Sequence, residues 1–330
     1  MTPFLFGALW KALLIRFPIT IPPMKYRRLG RTNLRVSVIG MGTWQLGGEW
    51  GKSFQQPEVD LLFAAAAERG INLIDTAECY GDHTSEQFIG QAIQTRGDRD
   101  RWIIATKFGH RFTGFMKRSD ERSAADATAQ VEGSLIALRT DRIDLLQYHS
   151  LRDSEFDNDD LTDALLKLVQ SGKVRHLGNS LSAGLTTTLQ AEQSTRRHVE
   201  AIQLIYNRLD RRHEEKTFAI CQRQDIGILA RVPLASGYLS GKYKPGARFP
   251  TDARSQHAPE VTDRLLTQVE QLRKEVPPGV PMATWALAWC LQHPAVTCVI
   301  PGCKDVAQLA ANAAAADLPM VSSDHPQHMP

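Results

Sequence analysis

The chain has 330 residues, of which 42% are hydrophobic and 23% are charged, a composition typical of a folded globular protein. Its length admits two average domains or one large α/β barrel, and excludes a peptide, a small disulfide scaffold or a fibrous repeat. The net charge of +3 comes from scattered basic residues and gives no support for a nucleic-acid partner. Five cysteines without a C-x-x-C pair argue against a disulfide framework or a structural zinc site, and favour a reducing compartment such as the cytoplasm.

Residues 1–23 form an apolar leader. Lys11 and Arg16 interrupt its apolar run, which is therefore shorter than the roughly 20 residues of a membrane-spanning helix. The run also lacks the basic start and the small-residue cleavage site of a secretory signal. We expect an upstream start or a loosely docked or disordered extension, with an interfacial membrane anchor as the alternative.

Short β-branched runs alternate with longer helical patterns along the rest of the chain. The predicted strands are Val36–Trp44, Asn72–Tyr80, Trp102–Gly109, Ile143–His149, Val174–Ser180, Ala201–Tyr206, Ile228–Leu234 and Thr297–Pro301. The predicted helices are Glu58–Arg69, Ser85–Gln94, Ala124–Leu138, Leu161–Ser171, Thr186–Ser194, Glu214–Gln224, Arg264–Glu275, Met282–Gln292 and Val306–Ala314. Several strands are almost continuously apolar, as strands buried on both faces of a parallel sheet are.

Eight strands connected by helices predict a (β/α)8 TIM barrel, because parallel neighbours require right-handed helical crossovers. A doubly wound α/β sheet is the alternative, but the turn Gly40-Met41-Gly42-Thr43-Trp44 carries no G-x-G-x-x-G pattern opening a helix. We therefore expect a single barrel domain over 24–321, followed by a polar tail over 322–330.

Four side chains that can donate or accept protons lie at the carboxyl ends of three consecutive predicted strands. Asp75 and Tyr80 lie at the end of the second strand, Lys107 at the end of the third and His149 at the end of the fourth. In such barrels the carboxyl ends of the strands carry the active site. Each residue alone has an ordinary explanation as a helix cap, an exposed charge or a satisfied polar group. Their convergence on one rim instead predicts a catalytic site.

These four residues suit the donation of a proton to a carbonyl group. An ammonium about 4 Å from a phenol contributes roughly 4 kcal/mol, enough to lower the phenol's pKa by about three. Lys107 is therefore expected to bring the pKa of Tyr80 towards neutrality, with Asp75 holding the ammonium in place. His149 can donate a hydrogen bond to the carbonyl oxygen, where negative charge develops during hydride attack.

Several stretches carry a resemblance to a known family, in order from about Lys25 to about Leu318. They are Leu29-Gly30-Arg31-Thr32, Gly40-Met41-Gly42-Thr43-Trp44, Asn72-Leu73-Ile74-Asp75-Thr76-Ala77 with Tyr80-Gly81, Ala105-Thr106-Lys107, Asp144-Leu145-Leu146-Gln147-Tyr148-His149, Gly172-Lys173-Val174-Arg175, Val232-Pro233-Leu234 with Gly237, and Ile300-Pro301-Gly302. In these stretches the chain resembles the aldo-keto reductases. The resemblance implies a catalytic tetrad of Asp75, Tyr80, Lys107 and His149, with Tyr80 as general acid and hydride from a nicotinamide cofactor bound across the barrel mouth. It also implies that an N-terminal hairpin over Lys25–Val38 plugs the bottom of the barrel.

The resemblance extends to positions that bind the cofactor in that family. They are Gly42, Thr43 and Asp75 near the nicotinamide, Ser180 and Gln203 for its carboxamide, Leu234, Ser236, Gly237, Leu239 and Lys242 in the loop over the pyrophosphate, and Gly302, Lys304, Gln308 and Asn312 around the adenosine. The family's Asn after that Ser is Leu181 here, so one carboxamide contact is expected to be missing. Arg231 stands where many family members stack an aromatic ring on the nicotinamide. Two interpretations stay open: the Arg231 guanidinium stacks in the same way, or Arg231 is a solvent-exposed arginine at the rim of the barrel.

The adenosine segment bears on the choice of cofactor. Backbone amides at the helix start and Lys304 suit a 2′-phosphate, although several NADPH-selective relatives have Arg where Gln308 stands. The cofactor is therefore expected to be NADPH, with NADH possible.

The substrate pocket is expected from loop aromatics, namely Trp44, Trp50, Phe54 and Phe108. Cys79 is interpreted as a packed thiol, and His83 and His110 as surface loop residues rather than substrate contacts. No H-x-H follows the first strand, which disfavours a metal-dependent hydrolase.

The sequence thus predicts an NAD(P)H-dependent reductase of aldehydes or ketones, acting on a small-molecule carbonyl without a nucleic-acid or membrane partner. Two alternatives stay open: a cofactor-sensing regulatory subunit with negligible turnover, and a sugar or alcohol dehydrogenase working in the oxidative direction.

Overall fold

A computed structural model describes residues 23–183 and 188–330. The strands in chain order are β1 (Tyr26–Arg28), β2 (Arg35–Ser37), β3 (Met41–Gly42), β4 (Leu73–Asp75), β5 (Ile103–Phe108), β6 (His110–Gly114), β7 (Lys117–Asp120), β8 (Ile143–His149), β9 (Val174–Ser180), β10 (Val199–Ile205), β11 (Gly227–Arg231), β12 (Cys298–Val299) and β13 (His328–Met329). The α-helices are α1 (Gln56–Glu68), α2 (Thr84–Arg96), α3 (Ala124–Ala137), α4 (Asp153–Phe156), α5 (Asp159–Gln170), α6 (Thr188–Gln193), α7 (Thr217–Arg223), α8 (Pro259–Leu272), α9 (Met282–Leu291) and α10 (Val306–Ala313).

Eight strands form one parallel sheet that curls into a barrel. Their order is β3-β4-β5-β8-β9-β10-β11-β12, which follows the chain order. Backbone hydrogen bonds join its two edges, from Gly40 N to the Val299 carbonyl at 2.8 Å and from Gly42 N to the Pro301 carbonyl at 3.0 Å. The predicted (β/α)8 barrel is therefore confirmed.

The predicted strand bounds agree best in the middle of the barrel. β8 and β9 begin and end where the sequence predicts, because both are long and buried. The first two predicted strands are too long. Arg35–Ser37 belongs to a separate hairpin, and after Asp75 the chain leaves the sheet in a turn that hydrogen-bonds Tyr80 N to the Ala77 carbonyl at 3.1 Å.

Within the described residues, the sequence prediction missed β6, β7, α4 and β13. β6 and β7 pair as an antiparallel hairpin outside the barrel, directly after β5. α4 is a short additional helix after β8. The leader over 1–22 and the start of the helix predicted from Thr186 lie outside the described residues. No helix within 23–183 and 188–330 is long and apolar enough to cross a membrane.

The hairpin β1–β2 closes the bottom of the barrel, as expected. Leu29, Leu34 and Val36 pack into a cluster with interior residues of the barrel strands. Gly30, with φ of +50°, lies so close to the backbone that a Cβ would sit 2.1 Å from Gly227 N. Only glycine fits there, because the turn requires both a left-handed backbone and this close approach.

The polar tail adds a strand to this floor. β13 pairs antiparallel with β1, matching Tyr26 with Met329 and Arg27 with His328. The buried guanidinium of Arg27 donates to the carbonyls of Val296, at 2.6 Å, and Leu291, at 2.9 Å. Segments from both ends of the described chain therefore meet at the bottom of the barrel.

Replacing Leu29 with Ala should lower the free energy of unfolding by about 3 kcal/mol, because it empties a site that is fully buried in the barrel floor. The measurement is the midpoint of urea unfolding. Leu61→Ala is the matched control, since Leu61 is 63% exposed on α1, and it should change stability by no more than about 0.5 kcal/mol. Equal effects of the two substitutions would contradict the assignment of the floor.

Candidate active site

The Lys107 ammonium lies at the centre of the barrel mouth. Its Nζ donates to Asp75 Oδ1 at 2.8 Å, to the Thr76 carbonyl at 2.6 Å and to Tyr80 Oη at 3.3 Å. These three acceptors account for all three ammonium hydrogens. The Lys107 side chain is 1% exposed and that of Asp75 is 5% exposed, so the pair is held away from water.

Asp75 is fixed on its other side by two amides. Gln203 Nε2 donates to Asp75 Oδ2 at 2.6 Å, and Gln147 Nε2 donates to the same oxygen at 3.2 Å. Gln147 was not predicted. Gln147 stands two residues before His149 on β8, so both side chains project from the same face of that strand. This alternation of side chains is the sequence signal that could have identified Gln147 as a site residue.

The phenol of Tyr80 stays protonated in this setting. Burial raises the pKa of Tyr80, and the Lys107 ammonium opposes the rise without overcoming it. Burial is the largest single influence on Lys107 and opposes its protonation, but the charges and hydrogen bonds of Asp75 and Tyr80 together outweigh it and raise the pKa of the ammonium. The expectation that Lys107 brings the pKa of Tyr80 towards neutrality is therefore wrong. The ammonium is already paired with a carboxylate, and the phenol is desolvated.

His149 is a neutral imidazole. Burial lowers its pKa well below the usual value, and the charges of Lys107, Arg231 and Arg118 lower it further. Its ring packs edge-on against Tyr80, with centroids 6.3 Å apart. The rim thus carries two neutral hydrogen-bond donors, a phenol and an imidazole, beside one buried ion pair.

A cleft of about 460 Å³ opens above these four residues. Most of the residues predicted to bind cofactor line it: Gly42, Thr43, Asp75, Ser180, Gln203, Arg231, Leu234, Ser236, Gly237, Lys242, Gly302, Lys304 and Gln308. The buried polar atoms on its wall that have no hydrogen-bond partner within the described chain include Arg231 Nε, Gln45 Oε1 and Trp50 Nε1. A wall with polar atoms left free in this way is suited to an elongated polar ligand.

The loop after β11 approaches the cleft in an unusual backbone conformation. Val232, Ala235 and Ser236 have φ of 53°, 47° and 57°, in the left-handed region, and Gly237 follows at 88°. A β-branched residue such as Val232 rarely adopts this conformation, which costs about 1–3 kcal/mol. The surrounding structure maintains this strained backbone conformation, in which Ser236, Gly237 and Lys242 of the loop line the cleft.

The segment after β12 presents a cation but few free amides. Lys304 lines the cleft, with Nζ donating to the Trp50 carbonyl at 2.5 Å. Asp305 caps α10 by accepting from Gln308 N at 2.7 Å, and the Gln308 side chain accepts from Lys304 N at 3.1 Å. The start of this helix is therefore largely satisfied by its own side chains.

Apart from Lys107, which is buried below the cleft, four predicted site residues do not line it. Leu239 is fully buried in a cluster with Tyr238 and Trp285. Asn312 is buried and donates to the Gly302 carbonyl at 3.3 Å.

Phe54 and Phe108 lie in the hydrophobic core, so their assignment to the pocket wall is wrong. Phe108 follows the inward-facing Lys107 on β5 and therefore faces the helix layer, where it packs against Tyr148. Trp44 and Trp50 do line the cleft, with their ring centroids 5.2 Å apart.

The β6–β7 hairpin supplies pocket residues that the sequence prediction missed. His110, Met116 and Arg118 line the cleft, and the His110 ring lies 4.8 Å from that of His149. Interpreting His110 as a surface loop residue was therefore wrong. His83, by contrast, contacts Glu86 at 2.6 Å and does not line the cleft.

Glu49 ties this hairpin to the loop after β3. The Glu49 side chain is almost fully buried and accepts from Trp44 Nε1 at 2.6 Å and from the Met116 amide at 2.7 Å. It also forms an ion pair with Arg118. One carboxylate thus positions two walls of the cleft.

Comparisons with known proteins agree with this architecture. The model of the Aldo/keto reductase family matches residues 38–328. The chain is 31% identical over 300 residues to the uncharacterized oxidoreductase YqkF of Bacillus subtilis (strain 168), covering 89% of this chain and 92% of the relative. It is similar in structure to the holo form of aldo-keto reductase AKR11C1 from Bacillus halodurans, with a TM-score of 0.75 at 30% identity, over 92% of this chain and 94% of that one. It is also similar to the glycerol dehydrogenase AKR11B4 from Gluconobacter oxydans, with a TM-score of 0.73 at 25% identity, over 92% of this chain and 97% of that one.

Replacing Glu49 with Gln should loosen the hairpin, because it removes a charged acceptor and leaves Arg118 without its carboxylate. We expect the Met116 amide to exchange with solvent about 30-fold faster, which corresponds to about 2 kcal/mol. Hydrogen exchange followed by mass spectrometry measures this. Glu121→Gln is the control, since Glu121 pairs with a mostly exposed Arg111 at 3.6 Å, and unchanged exchange in Glu49→Gln would contradict the role of Glu49.

Proposed function

Because the chain belongs to the aldo-keto reductase family, an oxidoreductase family, we propose that it reduces aldehydes or ketones to alcohols, with NADPH as hydride donor and Tyr80 as the general acid. The observation that carries the proposal is the hydrogen-bonded chain from Asp75 through Lys107 to Tyr80 Oη at the base of the cleft. The resemblance to the family implies these roles. The geometry supports them because all four tetrad positions meet at one point.

The residues present fit a nicotinamide dinucleotide. Lys242 and Lys304 line the cleft and suit phosphate groups, and Arg231 Nε, which has no partner among the described residues, can donate to a bound ligand. The Ser180 hydroxyl and the Gln203 amide, 3.4 Å apart, suit the carboxamide. When bound, the cofactor supplies the hydride; every other function is performed by side chains of the chain.

Tyr80 and His149 have different roles at the carbonyl oxygen of the substrate. Tyr80 transfers its proton to that oxygen as negative charge develops, and the neutral His149 donates a hydrogen bond to it. The Lys107 ammonium hydrogen-bonds Tyr80 Oη and stabilises the phenolate that remains. Asp75, Gln147 and Gln203 keep the ammonium charged and fixed, so these three act through Lys107.

Trp44 and Trp50 form the apolar wall opposite the polar donors. The Trp44 ring is stacked near that of Tyr80, with centroids 5.9 Å apart and planes 22° apart. Such a wall suits the flat carbonyl carbon and its apolar neighbours. The five cysteines are all buried free thiols, in keeping with a protein of the cytoplasm.

A second candidate is the same reaction in the oxidative direction. The glycerol dehydrogenase of Gluconobacter oxydans is among the similar structures, and its name describes the oxidation of a polyol. A panel of carbonyls with NADPH and NADH, and of sugars and alcohols with NADP⁺ and NAD⁺, separates the two directions.

Tyr80→Phe should reduce turnover of a reactive aldehyde such as a nitrobenzaldehyde by about 10²–10⁴-fold, because it removes the proton donor and keeps the ring. NADPH oxidation followed by absorbance measures the rate, and fluorescence quenching measures cofactor binding, which should be unchanged. Turnover that persists in Tyr80→Phe would refute the assigned role. A wild-type protein that holds cofactor tightly but does not turn it over would instead support a regulatory subunit.

Lys304→Gln tests the choice of cofactor. Because the ammonium is the free charge expected to meet a 2′-phosphate, its removal should raise KM for NADPH about tenfold or more, and leave KM for NADH within about twofold. Steady-state kinetics with both cofactors provide the measurement. An equal change for the two cofactors would argue against phosphate recognition by Lys304.

A further inference from the structure

The His149 imidazole contacts a thiol that the reaction itself does not use. Cys79 Sγ lies 3.8 Å from His149 Nδ1, and this sulfur is the hydrogen-bond partner of the ring within the described chain. Cys79 is 3% exposed and lines the cleft just before Tyr80. Its position follows from the turn after β4, which carries Cys79 and Tyr80 onto the same rim.

The hydrogens around this contact can be assigned. A neutral imidazole carries one hydrogen, on Nδ1 or on Nε2. Burial raises the pKa of the Cys79 thiol to about 11, so the sulfur keeps its hydrogen at neutral pH. Arg118 lies beside the same sulfur, and a guanidinium donates hydrogen bonds but accepts none. His149 Nδ1 is therefore the acceptor left for the thiol hydrogen.

The other groups that face His149 do not favour a hydrogen on Nδ1. Lys107, His110, Arg231 and Arg118 surround the ring, and none of them is a carboxylate that could accept from Nδ1. His110 packs edge-on at a centroid distance of 4.8 Å, with its own Nδ1 on the side of Asp120. A thiol sulfur can also accept a hydrogen bond weakly, but the Arg118 guanidinium already faces the Cys79 sulfur as a donor, which favours the arrangement in which sulfur donates and Nδ1 accepts.

We propose that Cys79 is a positioning residue that selects the tautomer of His149: its thiol donates to Nδ1 and thereby keeps the ring hydrogen on Nε2, directed into the cleft. This inference rests on the proposed function only for its kinetic consequence. Because Nε2–H is the group that meets the carbonyl oxygen, the thiol contact keeps a donor rather than a lone pair facing the developing negative charge.

The ring hydrogens can be observed directly, without turnover. In protein labelled with ¹⁵N-histidine, long-range ¹H–¹⁵N spectra distinguish a ring nitrogen that carries hydrogen from one that does not, and the His149 signals are those lost in His149→Gln. We expect hydrogen on Nε2 and none on Nδ1 in the wild-type protein. A hydrogen on Nδ1 would overturn the proposal even in a fully active enzyme.

Two small substitutions separate the hydrogen bond from packing. Cys79→Ala removes the donor and Cys79→Ser keeps one, while both side chains are smaller than cysteine. We expect Cys79→Ala to lower kcat about tenfold with little change in KM and to populate the Nδ1–H tautomer. Cys79→Ser should retain the wild-type tautomer and most of the kcat.

Equal behaviour of the Ala and Ser variants, in spectra and in kcat, would overturn the proposal and leave Cys79 a packing residue. Absence of turnover in the wild-type protein would refute the proposed function alone, because the spectra still report the tautomer. Folding of each variant is checked by the urea midpoint, and a destabilised Ala variant leaves the wild-type spectrum as the deciding measurement.

Discussion

The buried Lys107 ammonium is the constraint on which the rest of the site depends. A cation removed from water costs several kcal/mol unless a carboxylate and further acceptors surround it. The chain provides them from Asp75 at the end of β4, from the Thr76 carbonyl and from Tyr80 in the turn that follows. The ammonium stays buried only while each acceptor keeps its position. The contacts that stabilise the ion pair therefore also fix the position of the Tyr80 phenol.

Burial shifts the pKa values of two neighbouring rim residues in opposite directions, with the same result for their charge. It raises the pKa of Tyr80 and lowers that of His149, so both side chains are neutral beside a charged pair. Two neutral donors can face one oxygen without repelling each other, and a cation close behind them favours negative charge there. The charge of Lys107 therefore lies just below the surface of the cleft, where water screens it little.

The barrel and its tetrad were predictable because each depends on a pattern local to a strand. β8 and β9 are seven-residue strands that are mostly buried, and the residues that end such strands must share a rim. The lining of the cleft was less predictable, because loops define it. The polar sequence from His110 to Asp120 carries no strong strand signal, so the hairpin that presents Met116 and Arg118 was missed. Phe108 shows a different error, since the alternation that turns Lys107 inward turns its neighbour outward.

The pairing of β1 with β13 has a consequence for how the molecule forms. About 300 residues separate the two strands along the chain, so this contact is among the least local in the fold. A nascent chain can assemble strands of the barrel while it is still being made, but it cannot complete the floor until Met329 has left the ribosome. Closure of the floor therefore follows synthesis of the barrel strands. Until β13 pairs with it, the edge of β1 is available to chaperones or to another copy of the same segment.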